Sequence, residues 1–401
     1  MPTRVRSYSK INLGLAIGAP RADGFHSLTT LYQTLALHDL VSVTARPAAE
    51  TRITLSTNDR RVPCDDRNTA WQMVEKTLSY SGMTAEVEIY LQKNLPIQGG
   101  MGAGSANAAA ALIGLERELG LELGEQARLQ LAGQVGSDVP LFLVGGSVLG
   151  TDRGQAVEAA PDVTLGGEDE IACVIALPRI GVSTPLAFRE WDRRWAGRDS
   201  DPPPPAMEPH GIRRPEGVRL HNPQIPDTIE MLSRTYASVF GRYGQGKSGA
   251  SGILPDPSSA HNVRNIPENL QGLSREQRHS SPEFARTHGE SGIENDLAEN
   301  SLLALVRTGI ENDFETVVFP QYPLLGEIKR NLMGSVSSET GASGNSAVYA
   351  GLSGSGSALF GLYGARTDAS AAQRRLQQQG VEAIVTTTMP RAKYWSEMFA
   401  E

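Results

Sequence analysis

The segment best suited to chemistry is Pro96-Ile-Gln-Gly-Gly-Met-Gly-Ala-Gly-Ser-Ala-Asn107. Glycines at 99, 100, 102 and 104 let the backbone approach a ligand closely and adopt positive φ. A β-rich run precedes them and an Ala-rich helix follows. Unpaired N–H groups and the positive end of a helix dipole would therefore face whatever the glycines enclose. Ser105 adds a hydroxyl that can touch a phosphate or its Mg2+. Many Gly-x-Gly strings are only flexible turns, but the order strand, glycines, serine, helix favours phosphate binding. A rival motif is Gly241-Arg-Tyr-Gly-Gln-Gly-Lys-Ser248, which matches a Walker loop letter for letter. That motif needs a helix after it. Gly249 to Pro257 carries two glycines and two prolines and cannot supply one, so a basic surface loop is expected there.

The elements that must position the loop can be read from pattern. Alternating apolar positions predict strands at Val41 to Ala45, Arg52 to Ser56 and Ala85 to Leu91. Helices are expected at Asn68 to Ser79, Ser105 to Leu119 and Ala127 to Val135. Buried strands are expected at Leu141 to Gly150 and Ile171 to Leu177. Ile11 to Ala19 follows three basic residues like a short secretion leader, but Asn12, Gly14 and Gly18 interrupt it, so it reads as a buried strand. From about Ala196 to Gly292 the chain turns rich in Pro, Ser, Gly and Asn and holds five of the seven histidines. This stretch is expected to be a largely irregular insertion, with Met231 to Phe240 as a short helix. Its histidines are too widely spaced to read as a metal site. Helix returns near Asn295 and runs through Arg307, a second Gly/Ser-rich stretch covers Gly334 to Asn345, and Ala358 to Glu401 reads strand–helix–strand.

Composition sets outer limits. The chain has 401 residues and a formal net charge of −8, without a long Lys/Arg run, so nucleic acid is not an expected partner. Two cysteines without metal-ligand spacing fit a reducing compartment, and a cytoplasmic location is expected. No apolar run is long enough to span a membrane.

The P-x-x-x-G-x-G-x-G-S-x-N loop with its Ala-rich helix resembles the phosphate loop of the GHMP kinases. Ser9-Lys-Ile-Asn-Leu13 resembles their first strand. Leu352-Ser-Gly-Ser-Gly-Ser357 resembles the glycine-rich motif that backs the phosphate site. Four further segments narrow the likeness: Arg21-Ala-Asp-Gly-Phe-His26, Gly136-Ser-Asp-Val-Pro-Leu-Phe142, Pro178 to Phe188, and Asn312-Asp-Phe-Glu315. Together they resemble the 4-diphosphocytidyl-2-C-methyl-D-erythritol kinases of the non-mevalonate isoprenoid pathway.

The resemblance implies an α+β, two-domain GHMP kinase fold. A ribosomal-protein-S5-domain-2-like ATP-binding part would cover residues 1–165. A ferredoxin-like part with the insertion would cover 166–401. It implies ATP and Mg2+ as cofactors, a small-molecule cytidyl substrate, no membrane partner, and a monomer or homodimer. The implied catalytic residues are Asp138, as the base that takes a hydroxyl proton, and Lys10, which keeps that carboxylate ionised. Taken singly, Asp138 would be a turn or helix-cap residue and Lys10 a solvated lysine. Phe25, His26 and Phe188 are implied to hold the cytosine, with Thr184 nearby and Asn12 on the polyol or diphosphate. Phe25 stands where the family more often has Tyr. On the nucleotide side the implied contacts are Asn68, Lys93, Pro96, Gly99, Gly100, Gly102, Gly104, Ser105, Asn107, Ser353, Gly354 and Gly356, with Ser105 also the implied Mg2+ contact. Ala103 replaces a common glycine, which requires negative φ there, and Ala106 replaces a common serine. The competing expectations are another GHMP kinase, of homoserine or mevalonate type, and a non-catalytic nucleotide-binding protein.

Overall fold

The computed structural model describes residues 1–21, 23–97, 99–196, 300–307, 309–334 and 346–401. The Walker-like segment 241–248, the helix expected at 231–240 and the five histidines of the insertion lie outside these residues, as do 335–345.

The first sheet grows from two long strands, β1 (Thr3–Pro20) and β2 (His26–Pro47), paired antiparallel along their length. Register shifts at Tyr8/Ser9, Asn12/Gly14 and Ile17/Pro20 bend this ribbon. Its far half pairs with β4 (Ala85–Gln92), which runs parallel to β3 (Arg52–Thr57). Its near half pairs with β5 (Ser147–Thr151), which carries β6 (Ala156–Ala159). On β4 every second residue points inward: Ala85, Val87, Ile89 and Leu91 are buried. They pack with α1 (Thr69–Ser81), α2 (Ala103–Leu119) and α3 (Glu125–Val135) in the first core.

Residues 160–171 lead to a second, four-stranded sheet. It contains β7 (Ala172–Leu177), β8 (Tyr349–Leu352), β9 (Leu359–Tyr363) and β10 (Glu382–Thr387), in the order β10-β7-β9-β8, all antiparallel. Helices follow β7, namely α4 (Thr184–Ala196), α5 (Ser301–Arg307), α6 (Glu315–Gln321) and α7 (Pro323–Met333), and α8 (Arg366–Gln378) joins β9 to β10. This is the βαββαβ order of ferredoxin-like domains. β7 is buried on both faces. Cys173 and Ile175 enter a core shared with Ile11, Leu13 and Leu31 of the first sheet, while Val174 and Ala176 meet α7 and α8 in a third core. The two sheets are thereby packed back to back at the bend of β1.

Two segments depart from expectation. Leu141 to Gly150 is not one strand: Pro140–Leu143 is a 3-10 turn, Gly145 and Gly146 are left-handed, and only then does β5 begin. A continuous apolar run does not distinguish strand from buried helix, and Pro140 starts the turn at the helix position it prefers. A Cβ at Gly145 would collide with the Tyr394 ring. The chain end also does more than finish the second sheet. Beyond β10 come α9 (Arg391–Ser396) and β11 (Phe399–Ala400), which pairs with β1, placing Tyr394 and Met398 in the first core. A cut at residue 165 would part these elements from the sheet they complete. Among the described residues, no helix is long and apolar enough to cross a membrane.

Candidate active site

The glycine loop folds as its composition requires. Gly99, Gly100 and Gly102 have φ of 148°, 78° and 71°, and Gly102 is the cap from which α2 starts. Ala103 is the first residue of that helix and is not among the positive-φ residues, so its methyl is accommodated. The loop leans on the second glycine-rich segment: Ser353 Oγ donates to the Gly100 carbonyl (2.9 Å), and Ala358 N donates to that of Gly99 (3.2 Å). Asn312 Nδ2 in turn donates to the carbonyls of Leu352 and Gly354, both at 2.8 Å. Ser353 is fully buried, so it holds the loop from behind. Thr69 Oγ1 ties the start of α1 to the Gly104 carbonyl (2.7 Å). A cleft of ≈ 350 Å³ results, with Pro96, the glycines and Ser105 on one wall and Val62, Pro63, Arg67 and Asn68 on the other.

Three residues expected at the nucleotide use their polar atoms on the protein. The Lys93 ammonium pairs with Asp39 and donates to Asn107 Oδ1 (2.9 Å). Asn107 Nδ2 donates to Asp39 Oδ2 (3.0 Å) and Ser7 Oγ (2.8 Å). Asp39 is fully buried, and its other oxygen accepts the amides of Asn94 and Leu95. Asn68 caps α1 at Ala70 N and donates to the Pro63 carbonyl (2.8 Å). These side chains build the walls of the cleft. Asp39 is not among the residues expected from sequence, although an acid inside the apolar run of β2 is a visible signal for a buried partner.

The residues expected to be catalytic meet beside Gly102, at the end of the loop. Lys10 Nζ is 3.3 Å from Asp138 Oδ2 and donates to Asn12 Oδ1 (2.7 Å). Asn12 Nδ2 donates to Thr30 Oγ1 (2.8 Å), and Thr30 donates to the Gly14 carbonyl (2.7 Å). Asn12 thus orients Lys10, and its amide is satisfied within the strand pair. Lys10 is 2% exposed, which excludes a solvated role, and a Cβ on Gly102 would lie 3.2 Å from Lys10 Cγ. Asp138 does not cap a helix: Val139 holds the cap position of the 3-10 turn and there is no side-chain cap bond. A Cβ on Gly136 would come within 3.9 Å of Ser105 Oγ, so the Gly136–Asp138 turn sits beside the start of α2. Asp138 Oδ1 accepts the Tyr32 hydroxyl (3.1 Å). Burial, and then the Asp138 charge, push the Tyr32 phenol well above its ordinary pKa.

A second groove, ≈ 730 Å³, shares Gly99 and Gly100 with the first and runs between residues 178–184 and Ser355 to Ser357. Thr184 Oγ1 and Ser355 Oγ are 2.6 Å apart across it. The aromatic residues expected around a base are not among its lining residues, and they do not form an open slot. His26 covers Phe188 face to face (centroids 4.8 Å, 14°), and Phe188 also makes a T-shaped contact with Phe314 (4.9 Å, 75°). His26 Nε2 contacts Asp192 Oδ1 at 2.7 Å. Phe25 is half exposed with the Arg153 guanidinium over its ring at 4.7 Å. Among the described residues no cluster of three or more His, Cys, Asp or Glu could hold a metal ion.

Beneath this region, residues 311–315 lock β1 to the second sheet. Asp313 N donates to the Leu15 carbonyl (2.9 Å), and Asp313 Oδ2 accepts Ile17 N (2.8 Å). Burial pushes the Asp313 carboxyl up to about 6. The folded protein therefore binds this proton more tightly than the unfolded chain. Its contribution to stability is fully present below the ordinary carboxyl range and is lost as pH rises through 6. Asp313→Asn keeps an acceptor for Ile17 and removes the buried charge. We expect this variant to be more stable at pH 7 by up to about 3 kcal/mol, with the advantage vanishing near pH 4, in urea unfolding at both values. Equal stability at both would contradict it.

Comparison with known proteins agrees with this geometry. Residues 68–146 match the GHMP kinases N terminal domain. The chain is 42% identical over 203 residues to a 4-diphosphocytidyl-2-C-methyl-D-erythritol kinase of Rhodococcus jostii (strain RHA1), covering 50% of this chain and 62% of that protein. It is 38% identical over 205 residues to the protein of that name from Mycobacterium marinum (strain ATCC BAA-535 / M), covering 51% and 61%. The chain thus spans less than two thirds of the length of these curated relatives. A crystal structure of 4-(cytidine 5'-diphospho)-2C-methyl-D-erythritol kinase superposes with TM-score 0.55 at 21% identity, covering 96% of this chain and 98% of the other. The L. major mevalonate kinase in complex with R-mevalonate superposes with TM-score 0.54 at 11% identity, covering 96% of each. Residues 68–146 therefore match the GHMP kinase N-terminal domain family, and the chain as a whole has the GHMP kinase fold.

Proposed function

We propose that this protein transfers the γ-phosphoryl group of ATP to the 2-hydroxyl of 4-diphosphocytidyl-2-C-methyl-D-erythritol. The observation that carries this reading is the Lys10–Asp138 pair, 3.3 Å apart beside Gly102 at the end of the glycine loop. The nucleotide occupies the cleft against α1, with its phosphates on the free amides of the loop and the α2 N-terminus. The acceptor lies in the adjoining groove with its hydroxyl beside Asp138. As the hydroxyl oxygen attacks phosphorus, Asp138 takes its proton and Lys10 offsets the developing charge. Catalysis is mainly positioning in an in-line geometry. Mg2+ supplies charge neutralisation on the phosphates when bound, and the Ser105 hydroxyl, at the start of α2 in the phosphate cleft, is the side chain that would reach it.

The names of the relatives support the cytidyl acceptor, and the stacked pair His26 and Phe188, with Phe25 next in sequence, supports a flat base as part of it. For a base to stack on the face of Phe188 that His26 covers, His26 must swing off that ring. ADP release from ATP with this acceptor, set beside homoserine and mevalonate, tests the reading: turnover is expected with the cytidyl acceptor alone.

A further inference from the structure

Asp138 has a third neighbour besides Lys10 and solvent, and it comes from the middle of β2. Tyr32 is 2% exposed and its hydroxyl reaches Asp138 Oδ1 (3.1 Å), while Lys10 stands at Oδ2. Lys10 Nζ also lies 5.4 Å from the Tyr32 ring centroid, so the ammonium, the phenol and the carboxylate form one closed group. The ring is held by a pocket made for it. A Cβ on Gly150 would approach the ring to 2.5 Å, and one on Gly154 would approach the hydroxyl to 2.6 Å. Only glycines allow the β5–β6 turn to close over a tyrosine there. The phenol does not ionise near neutral pH, because burial and the adjacent carboxylate both oppose it, so toward Asp138 it can act only as a donor. A phenylalanine would fill the same space without that donor. The hydroxyl therefore has a directional role that packing alone does not require.

We propose that Tyr32 is a positioning residue for phosphoryl transfer: its hydroxyl occupies Oδ1 of Asp138, fixes the carboxylate plane, and leaves Oδ2, the oxygen beside Lys10, to receive the acceptor's proton. This rests on the proposed kinase reaction. In the step itself the acceptor O–H bond breaks and its proton moves to Oδ2. The acceptor oxygen forms the new O–P bond as the bond from γ-phosphorus to the ADP oxygen breaks. The Tyr32 proton is not transferred, and its hydrogen bond to Oδ1 persists in the protonated acid. An unanchored carboxylate would rotate and spend less time with Oδ2 aimed at the hydroxyl.

The test has two arms. Steady-state kinetics of Tyr32→Phe should show kcat lower by about tenfold, with KM for ATP and acceptor within about twofold of the parent and an unchanged melting temperature. The second arm needs no turnover. In protein carrying 13C at the tyrosine ring carbon that bears the hydroxyl, the Tyr32 resonance, assigned by its loss in Tyr32→Phe, should shift in Asp138→Ala. Unchanged kcat in Tyr32→Phe would overturn the proposal, as would a loss of kcat that only follows a fall in melting temperature. A Tyr32 resonance indifferent to Asp138→Ala would overturn it by removing the contact. If the parent turns over no acceptor while the resonance does shift, the proposed reaction fails and the contact stands.

Discussion

Asp138→Ala is expected to lower turnover by about 10³-fold while leaving ATP affinity within about twofold. The two halves of this expectation have separate structural grounds. The carboxylate is the only proton acceptor in the Lys10, Asn12, Tyr32 cluster, because Lys10 and the Tyr32 hydroxyl are donors and the Asn12 amide is engaged by Lys10 and Thr30. Without it the hydroxyl must attack with its proton still in place or lose it to water. ATP affinity should survive because the cleft is lined by the loop and by the start of α1, and Asp138 is not on its wall. ADP release and displacement of a fluorescent nucleotide measure the two quantities. Turnover retained in Asp138→Ala would remove its assignment as base. A parallel loss of ATP affinity would place the residue at the nucleotide instead.

The second large effect is expected at Gly100. Its φ of 78° already disfavours a side chain, and a Cβ there would collide with the Ser353 carbonyl, which is backbone and cannot rotate away. Gly100→Ala must therefore push the glycine loop off the segment that supports it, breaking the bonds made by Ser353 and Ala358. Strain of this kind costs about 1–3 kcal/mol before any ligand contact is lost. Misplacing the loop amides adds to that, so ATP affinity is expected to fall by about 10²-fold or more. Gly124→Ala is the control. Gly124 has φ of −65° and nothing within 4 Å of the point where a methyl would stand, so only a small change in stability should follow. Equal ATP affinity in Gly100→Ala and the parent would mean the loop does not hold phosphate.

Much of this site can be read from the chain because its local chemistry and its pattern agree. The glycine loop carries glycines at the positions that need positive φ, and α2 begins two residues before the expected Ser105. Asn68 is expected at the start of a helix, and it is the residue that caps it. The contacts that a sequence does not display are those made across the fold. Asp39 meets Lys93 over 54 positions, and Tyr32 meets Asp138 over 106. The Asp192 contact to His26 spans 166 positions and the intervening sheet crossover. None of these partners carries a local signal for the other. The same reason hides the partners of Lys93 and Asn107: both line the cleft, yet nothing local shows that a buried carboxylate from β2 holds them there. Pro140 shows the other kind of failure, in which an apolar run fits a strand and a buried turn equally well.

The measurement closest to the central claim is ADP release with the purified protein, ATP and Mg2+, using 4-diphosphocytidyl-2-C-methyl-D-erythritol, homoserine or mevalonate as acceptor. Saturable turnover with the cytidyl compound, at least about 10²-fold above either control in kcat/KM, is the result the proposed chemistry requires. Turnover with homoserine or mevalonate instead would keep the GHMP kinase fold and contradict the assigned acceptor. No ADP release with any of the three, from protein that still binds ATP, would contradict the proposed reaction itself.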